Sequence, residues 1–184
     1  MNSEKRMVCP MRVAGLLDSK FRKLFHNPNS ILKPFIKKNM TVLDIGCGPG
    51  VFSIEIAKLL DGTGKVISVD MQEGMLEIIR KKIRGTAYEK SVVLHKCTQD
   101  SLNLKEKIDF VLLFYVVHEV PDKERLFGEI LPQINKNGLI MIVEPGLIFK
   151  NEFNRIIDHI KEKGFEEHEK PKIKLSKGIV LRKI

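Results

Sequence analysis

The chain has 184 residues, of which 43% are hydrophobic and 30% are charged, and it carries a net charge of +9. This length supports one sizeable core and is short for two, so we expect a single domain over residues 1–184. No apolar run approaches the roughly 20 residues of a membrane-spanning helix, and charged N-terminal residues argue against a signal peptide. Three cysteines without CxxC spacing favour a reducing, cytoplasmic location over disulfides or a metal site.

The positive charge is concentrated at the two ends of the chain. Residues 1–40 hold nine Lys/Arg against two acids, and residues 161–184 hold eight against four. The intervening 120 residues are close to neutral, with fifteen basic side chains against seventeen acidic ones. Basic ends could face an anionic substrate, RNA or a membrane surface, or they could simply keep the protein in solution.

The N-terminal segment has helical periodicity. Apolar residues between Val13 and Phe25 recur at helical spacing, and Ile31–Ile36 predicts a second, shorter helix. We expect residues 1–38 to form a helical cover over the active site. As a basic amphipathic segment, the first helix could instead lie on a membrane.

The remaining elements alternate between strand and helix patterns. Five apolar segments are predicted as strands: Val42–Ile45, Lys65–Asp70, Ser91–Lys96, Ile108–Val117 and Leu139–Glu144. Four segments have helical signals: Val51–Leu60, Glu73–Arg84, Asp122–Asn135 and Phe149–Lys163. Two further strands are expected at Glu166–Ile173 and Leu175–Arg182. This order predicts an open parallel α/β sheet with a hairpin at one edge.

A glycine-rich loop follows the first predicted strand. Gly46 and Gly48 would let main chain approach a ligand without a Cβ clash, at the sheet edge where α/β proteins bind ligands. Asp70 ends the second strand, where a carboxylate can accept hydrogen bonds from ribose hydroxyls. Together they indicate a nucleoside-type ligand.

The spacing in this loop distinguishes two ligand classes. A dinucleotide fingerprint has a third glycine where this chain has Val51. Asp44, two residues before Gly46, would repel a pyrophosphate but suits a cationic ligand such as S-adenosylmethionine, which carries an ammonium and a sulfonium. The loop therefore favours a methyl donor over NAD.

Three segments carry a family resemblance. Val42–Gly50 resembles the first motif of the class I S-adenosylmethionine-dependent methyltransferases, and Val69–Met71 together with Met75 and Leu76 resembles their second-strand motif. Phe110–Pro121 is similar to the fourth-strand segment of their type 11, small-molecule group. The resemblance implies a Rossmann-like, open, mostly parallel seven-stranded sheet with helices on both faces and an antiparallel C-terminal hairpin. S-adenosylmethionine would be its cofactor.

The resemblance assigns a set of cofactor-binding residues by position: Asp44, Gly46, Cys47, Gly48, Gly50, Asp70, Met71, Thr98, Gln99 and Phe114. Asp44 would hold the methionine ammonium through the loop, and Asp70 would bind the ribose. The family often has an acid after the third strand that contacts the adenine. Here Thr98 and Gln99 stand in that place, and Gln99 is a plausible substitute.

A base is needed only if the acceptor atom carries a proton. The candidates are four strand-end residues and one residue of the N-terminal cover: Tyr115, His118, Glu119, Glu144 and His26. His118 could equally cap the next turn. A nucleophilic role for Cys47 is disfavoured because no neighbouring base is evident.

Four functions remain open at this point. The first is a methyltransferase acting on a small-molecule acceptor, and the second is a non-catalytic cofactor-binding module that docks a partner or membrane through its basic ends. An RNA methyltransferase is the third; the segment Phe114–Glu119 lacks the Asn/Asp-Pro-Pro-Tyr/Phe pattern typical of exocyclic-amine enzymes, so nucleic acid is possible but not favoured. The fourth, a nucleotide-dependent oxidoreductase, conflicts with Asp44 and Val51.

Overall fold

The computed structural model describes residues 26–146 and 150–184. These residues contain seven strands: β1 (Thr41–Ile45), β2 (Lys65–Asp70), β3 (Val92–Lys96), β4 (Ile108–Phe114), β5 (Ile134–Pro145), β6 (Phe165–Glu169) and β7 (Ser176–Lys183). The same residues contain five α-helices: α1 (Pro28–Leu32), α2 (Val51–Leu60), α3 (Glu73–Ile83), α4 (Lys123–Ile130) and α5 (Lys150–Glu162).

The strands form one sheet in the order β3-β2-β1-β4-β5-β7-β6. Strands β1 to β5 are parallel, whereas β7 runs antiparallel to both β5 and β6. Alternate strand residues enter two apolar layers, one packed on α4 and α5 and the other on α1, α2 and α3. The predicted Rossmann-like, mostly parallel seven-stranded sheet with helices on both faces and an antiparallel C-terminal hairpin is confirmed.

Strand β4 occupies the centre of the sheet, between β1 and β5. Its side chains are buried on both faces, as the unbroken apolar sequence predicts. Asp109 is the one polar exception in this strand. Its carboxylate accepts hydrogen bonds from the backbone N–H of Thr41 (2.8 Å) and from the side-chain amide of Asn135 (2.7 Å), which satisfies the charge and links three strands.

Strand β4 ends earlier than predicted, at Phe114 rather than Val117. Tyr115 has a left-handed backbone (φ +60°), which turns the chain out of the sheet. Its N–H still donates to the carbonyl of Val143 (2.8 Å), and a 3₁₀ turn follows at Val117–Glu119. The apolar run in the sequence does not reveal this turn because Val116 and Val117 remain apolar after it.

The helix predicted over Asp122–Asn135 ends at Ile130, and β5 begins at Ile134 instead of Leu139. Pro132 has no N–H to donate, so the chain passes through a short 3₁₀ turn before it enters the sheet. Strand β5 thus gains five residues at its start, and the first of them, Ile134, pairs with Ile108 of β4.

Other boundaries also shift. The hairpin strands are Phe165–Glu169 and Ser176–Lys183, so the connecting loop is longer than predicted, and α1 occupies Pro28–Leu32 because Asn27 caps it. Residues 97–107 cross from β3 to β4 without a helix, in agreement with the sequence, which predicts none there.

The helix predicted at Val13–Phe25 lies outside the described residues, so the helical cover over residues 1–38 stays a prediction. Within the described part, Leu32, Phe35 and Ile36 are buried in the layer that also holds α2. Among the described helices, none has both the length and the apolar character to cross a membrane.

Candidate active site

The glycine loop between β1 and α2 is held against the end of β2. The N–H groups of Gly46 and Cys47 both donate to the carbonyl of Val69 (2.9 and 3.0 Å). All three loop glycines have left-handed φ angles, +67° at Gly46, +52° at Gly48 and +83° at Gly50. Residues with a side chain rarely adopt this backbone conformation, which by itself accounts for a glycine at each of the three positions.

The three glycines nevertheless have different surroundings. A Cβ at Gly46 would lie 2.5 Å from the side chain of Val116, and one at Gly50 would lie 2.6 Å from that of Ile79. At Gly48, apart from its two chain neighbours, no described residue has an atom within 4 Å of that position. Gly46 and Gly50 therefore allow close internal packing, whereas Gly48 faces open space where a ligand could approach the main chain.

Asp70 closes the loop from the end of β2. Its Oδ2 accepts a hydrogen bond from the N–H of Gly48, and its Oδ1 accepts one from the N–H of Gln72, both 2.9 Å. Burial raises the pKa of this carboxyl, and the backbone hydrogen bonds oppose that rise. Each oxygen has a second lone pair, so the carboxylate can accept two further hydrogen bonds, as a ribose diol would require.

Asp44 lies beneath the loop and is only 2% exposed. Its Oδ2 accepts a hydrogen bond from the hydroxyl of Ser53 (2.5 Å), on the first turn of α2. The pair connects the strand to the helix on either side of the glycines. Sequence reasoning missed Ser53, although a serine among the apolar positions of α2 was a usable signal.

Two of the cysteines lie near these carboxylates. Burial raises the pKa of the Cys47 thiol well above its usual value, and the charges of Asp44 and Asp70 raise it further. Burial also raises the pKa of Cys97 to about 11, helped by Asp70. Both thiols stay protonated at neutral pH, which agrees with the inference that Cys47 is not a nucleophile.

The predicted adenine-side residues lie at adjacent strand ends. The N–H of Cys97 donates to the carbonyl of Asp70 (3.2 Å), so the residues after β3 begin beside those after β2. Met71 is partly exposed, and Thr98 and Gln99 are exposed. The Thr98 hydroxyl is engaged with the backbone of Ser101. Adenine contacts by these three residues stay a prediction.

Phe114 belongs to an aromatic group at the end of β4. Its ring lies 4.2 Å from that of Phe52 and 4.7 Å from that of Tyr115, measured between centroids. The ring of His26 contacts both Phe114 and Tyr115 edge-on. This packing gives Phe114 a core role, and its predicted contact with the cofactor stays a prediction.

His118 and Glu144 form a hydrogen-bonded pair across the ends of β4 and β5. The Nδ1 of His118 lies 2.5 Å from Oε2 of Glu144, and the other oxygen accepts the N–H of Val117 (2.9 Å). Glu144 is 5% exposed, whereas His118 is about one quarter exposed. Because a carboxylate only accepts, Nδ1 carries the proton, and Nε2 of the neutral ring keeps a lone pair.

Glu119 flanks this pair on the solvent side. Its Oε1 lies 3.9 Å from Nε2 of His118. Burial raises the pKa of the Glu119 carboxyl; His118 lowers it, and the charges of Glu144 and Asp70 raise it further. The structure thus brings together three of the five predicted catalytic candidates, with Glu144 at Nδ1 of His118 and Glu119 near its Nε2.

The other two candidates, His26 and Tyr115, meet at a second cluster with Ser176. His26 Nε2 lies 3.0 Å from the carbonyl of Lys174 and 3.2 Å from both the Tyr115 and Ser176 hydroxyl oxygens, which lie 2.5 Å apart. A carbonyl can only accept, so Nε2 of His26 is a donor and is not available as a base. Sequence reasoning missed Ser176, and no sequence signal marked it.

Comparisons with known proteins identify the family. A model of a methyltransferase domain matches residues 36–182. The demethylmenaquinone methyltransferase of Lactobacillus johnsonii is 30% identical over 112 residues, which are 59% of this chain and 45% of that protein. A probable cobalt-precorrin-6B C(15)-methyltransferase (decarboxylating) of Saccharolobus solfataricus is 27% identical over 146 residues, 78% of this chain and 70% of that protein.

The fold has a counterpart among solved structures. An S-adenosylmethionine-dependent methyltransferase from Aquifex aeolicus matches with a TM-score of 0.81 at 21% identity, covering 94% of this chain and 98% of that one. The chain spans less than half the length of the demethylmenaquinone methyltransferase. The family match over residues 36–182 covers the glycine loop and all seven strands except the last residue of β7. It shows that this chain belongs to the methyltransferase-domain family, as the resemblance to class I S-adenosylmethionine-dependent methyltransferases predicts.

Proposed function

We propose that this protein transfers a methyl group from S-adenosylmethionine to a small-molecule acceptor, and that His118 removes the acceptor's proton. The pairing of His118 with Glu144 carries the proposal. It lies at the carboxyl ends of β4 and β5, along the same sheet edge as the glycine loop. In open α/β sheets this edge is where ligands bind.

The loop residues fit the cofactor. Gly48 presents open main chain, and Asp70 has acceptor capacity for the ribose beside it. When bound, S-adenosylmethionine supplies an activated methyl on a sulfonium, which becomes a neutral thioether as the methyl leaves. Asp44 contributes negative charge beneath the loop, which favours binding of a cation.

His118 would act by holding and moving one proton. Glu144 fixes the ring through Nδ1, so Nε2 accepts the proton of an acceptor O–H, N–H or C–H as the new bond to the methyl forms. The buried Glu144 carboxylate then stabilises the imidazolium that results. The rest of the catalysis is alignment of the acceptor with the methyl group, which can supply about 7–11 kcal/mol.

The relatives' names indicate which acceptors to test first. One is called a demethylmenaquinone methyltransferase and the other a precorrin methyltransferase, and both names denote small molecules. A naphthoquinol is therefore the first acceptor to try. A hydroxyl proton of such a compound has to be removed before its ring carbon becomes a strong nucleophile, which suits a histidine base.

The test is S-adenosylhomocysteine release with 1,4-naphthohydroquinone and a panel of catechols and amines. We expect His118→Ala to lower kcat by about 10²–10⁴-fold while S-adenosylhomocysteine affinity, measured by calorimetry, is unchanged. Glu144→Gln should lower kcat at least tenfold, because an amide N–H that faces Nδ1 donates to it. The ring proton then sits on Nε2, which can no longer accept a proton from the substrate.

The matched control for this test is His168→Ala, which removes an exposed histidine on β6. It should leave both kcat and cofactor affinity unchanged. Equal turnover by the His118→Ala and His168→Ala variants would refute the assignment of the base. Cofactor binding without turnover of any acceptor would favour the non-catalytic module.

A further inference from the structure

The loop between β6 and β7, residues 170–175, lies beside the candidate active site. We call it the lysine loop. It meets the carboxyl end of β5, where Pro145 pairs with Ser176 and the N–H of Gly146 donates to the carbonyl of Leu175 (2.8 Å). His26 donates to the carbonyl of Lys174 (3.0 Å) in the same region. The lysine loop is therefore fixed to the sheet edge that holds the glycine loop and the His118 pair.

Leu175 stands at the tip of this loop with its side chain in solvent. It is 73% exposed, the largest value among the exposed large apolar side chains of the described residues. Its φ angle is +59°, a conformation that a leucine rarely adopts. The hydrogen bonds at its own carbonyl and at that of Lys174 hold the backbone in place, so the exposed leucine belongs to an anchored tip.

Four lysines flank the exposed leucine in the sequence. Lys170, Lys172 and Lys174 lie in the loop, and Lys177 follows it on β7. Lys170 pairs with Glu167 (2.9 Å), whereas Lys172 and Lys177 form no ion pair within the described residues. The four lysines line an open cleft of about 700 Å³ against Phe153 and Asn154 of α5, and none of the described residues that line it is acidic.

We propose that the lysine loop docks this protein on an anionic lipid bilayer, with Leu175 inserted among the acyl chains and Lys172 and Lys177 at the level of the lipid phosphates. An exposed apolar side chain with lysines before and after it in the same loop and strand matches both layers of such a surface. An RNA or an acidic protein would use the lysines but would gain little from a single exposed leucine. Docking in this way would turn the carboxyl edge of the sheet, and so the acceptor site, toward the membrane. The inference does not depend on methyl transfer.

Vesicle binding tests the proposal on the full chain. The protein should sediment with vesicles of phosphatidylcholine mixed with phosphatidylglycerol and not with phosphatidylcholine alone, and salt should weaken the binding. Leu175→Gly should lower the partition coefficient about tenfold, since it removes the inserted side chain. It should not harm the fold, because glycine adopts the φ of +59° without strain. Lys172→Gln and Lys177→Gln should each lower the partition coefficient about fivefold.

The opposite end of strands β5 and β7, away from the lysine loop, supplies matched controls. Ile184 is 70% exposed just after β7, and Lys136 is exposed near the start of β5. Ile184→Gly and Lys136→Gln should leave vesicle binding unchanged. Salt-sensitive binding that Leu175→Gly does not weaken would overturn the proposal and would indicate adsorption through another basic segment. Failure to bind the anionic vesicles would overturn it as well.

A fluorescence measurement reports on insertion directly. The chain contains no tryptophan, so Leu175→Trp introduces a single reporter. Its emission should shift to shorter wavelength with anionic vesicles and stay unchanged with phosphatidylcholine vesicles, because an inserted indole leaves water. The Ile184→Trp variant should show no shift with either. A Leu175→Trp protein that binds the anionic vesicles without an emission shift would refute insertion of the loop.

Discussion

The three loop glycines have different neighbours, and this predicts different effects of adding one methyl group. Gly50→Ala would place a Cβ 2.6 Å from Cγ1 of Ile79, a fully buried residue of α3. Gly48→Ala would place its Cβ in open space. Both positions have a left-handed φ, so the contrast between them isolates the packing contribution.

The magnitudes follow from these contacts. A left-handed alanine costs about 1–2 kcal/mol, which applies at both positions. Overpacking against Ile79 adds about 1–3 kcal/mol at Gly50 only. We therefore expect unfolding free energies lowered by about 2–5 kcal/mol for Gly50→Ala and by about 1–2 kcal/mol for Gly48→Ala. The methyl at Gly48 instead projects toward the expected cofactor, so S-adenosylhomocysteine affinity should fall at least tenfold.

The assays are urea unfolding for stability and titration calorimetry for affinity. A double variant sharpens the stability measurement, since Ile79→Ala would open room for the new methyl of Gly50→Ala. The two substitutions should then cost less together than the sum of their separate effects, by about 0.5–3 kcal/mol. The reasoning would be refuted if Gly48→Ala and Gly50→Ala lost equal stability, or if Gly48→Ala bound S-adenosylhomocysteine as tightly as the unchanged protein.

Three further predictions concern the carboxylates and the buried thiol. Asp70→Asn should weaken S-adenosylhomocysteine binding at least tenfold in calorimetry, because an amide offers one acceptor oxygen instead of two; unchanged affinity would exclude the ribose contact. Glu129→Gln should speed hydrogen exchange in residues 97–107, since its carboxylate accepts the N–H of Leu102 (2.8 Å), and an unchanged rate would show that other contacts hold the crossing. The pKa of Cys97 is raised from 9.0 to about 11, so folding favours the protonated thiol. The stability that this thiol contributes is complete below about pH 9 and is lost as pH rises toward 11. Cys97→Ala should remove that slope in urea unfolding, a difference of about 1.4 kcal/mol between pH 8 and pH 10; parallel pH profiles would contradict it.

The sheet is well predicted because its buried strands are apolar, and apolar runs can be recognised in the sequence. A strand such as β4, buried on both faces, leaves an apolar run that periodicity detects. Chain turns within apolar sequence are harder to detect. Tyr115 turns out of β4 with a left-handed φ while its N–H bonds to β5, and no glycine or proline beside it marks the turn in the sequence.

Some residues of the candidate site could be predicted from the sequence, and others could not. Gly48 and Asp70 are marked by residue type and by position at strand ends, and the structure places them in direct contact. The pairing of His118 with Glu144 depends on β4 and β5 being neighbours, which the strand order determines. Ser176 reaches Tyr115 across 61 residues of sequence, and only the returning antiparallel strand brings them together.

The most direct test of the account is to titrate the protein with S-adenosylhomocysteine and with NADH in parallel by calorimetry. The negative charge of Asp44 and the absence of a third dinucleotide glycine at Val51 predict saturable one-to-one binding of S-adenosylhomocysteine and no binding of NADH. Binding of NADH without binding of S-adenosylhomocysteine would contradict the assignment of the glycine loop.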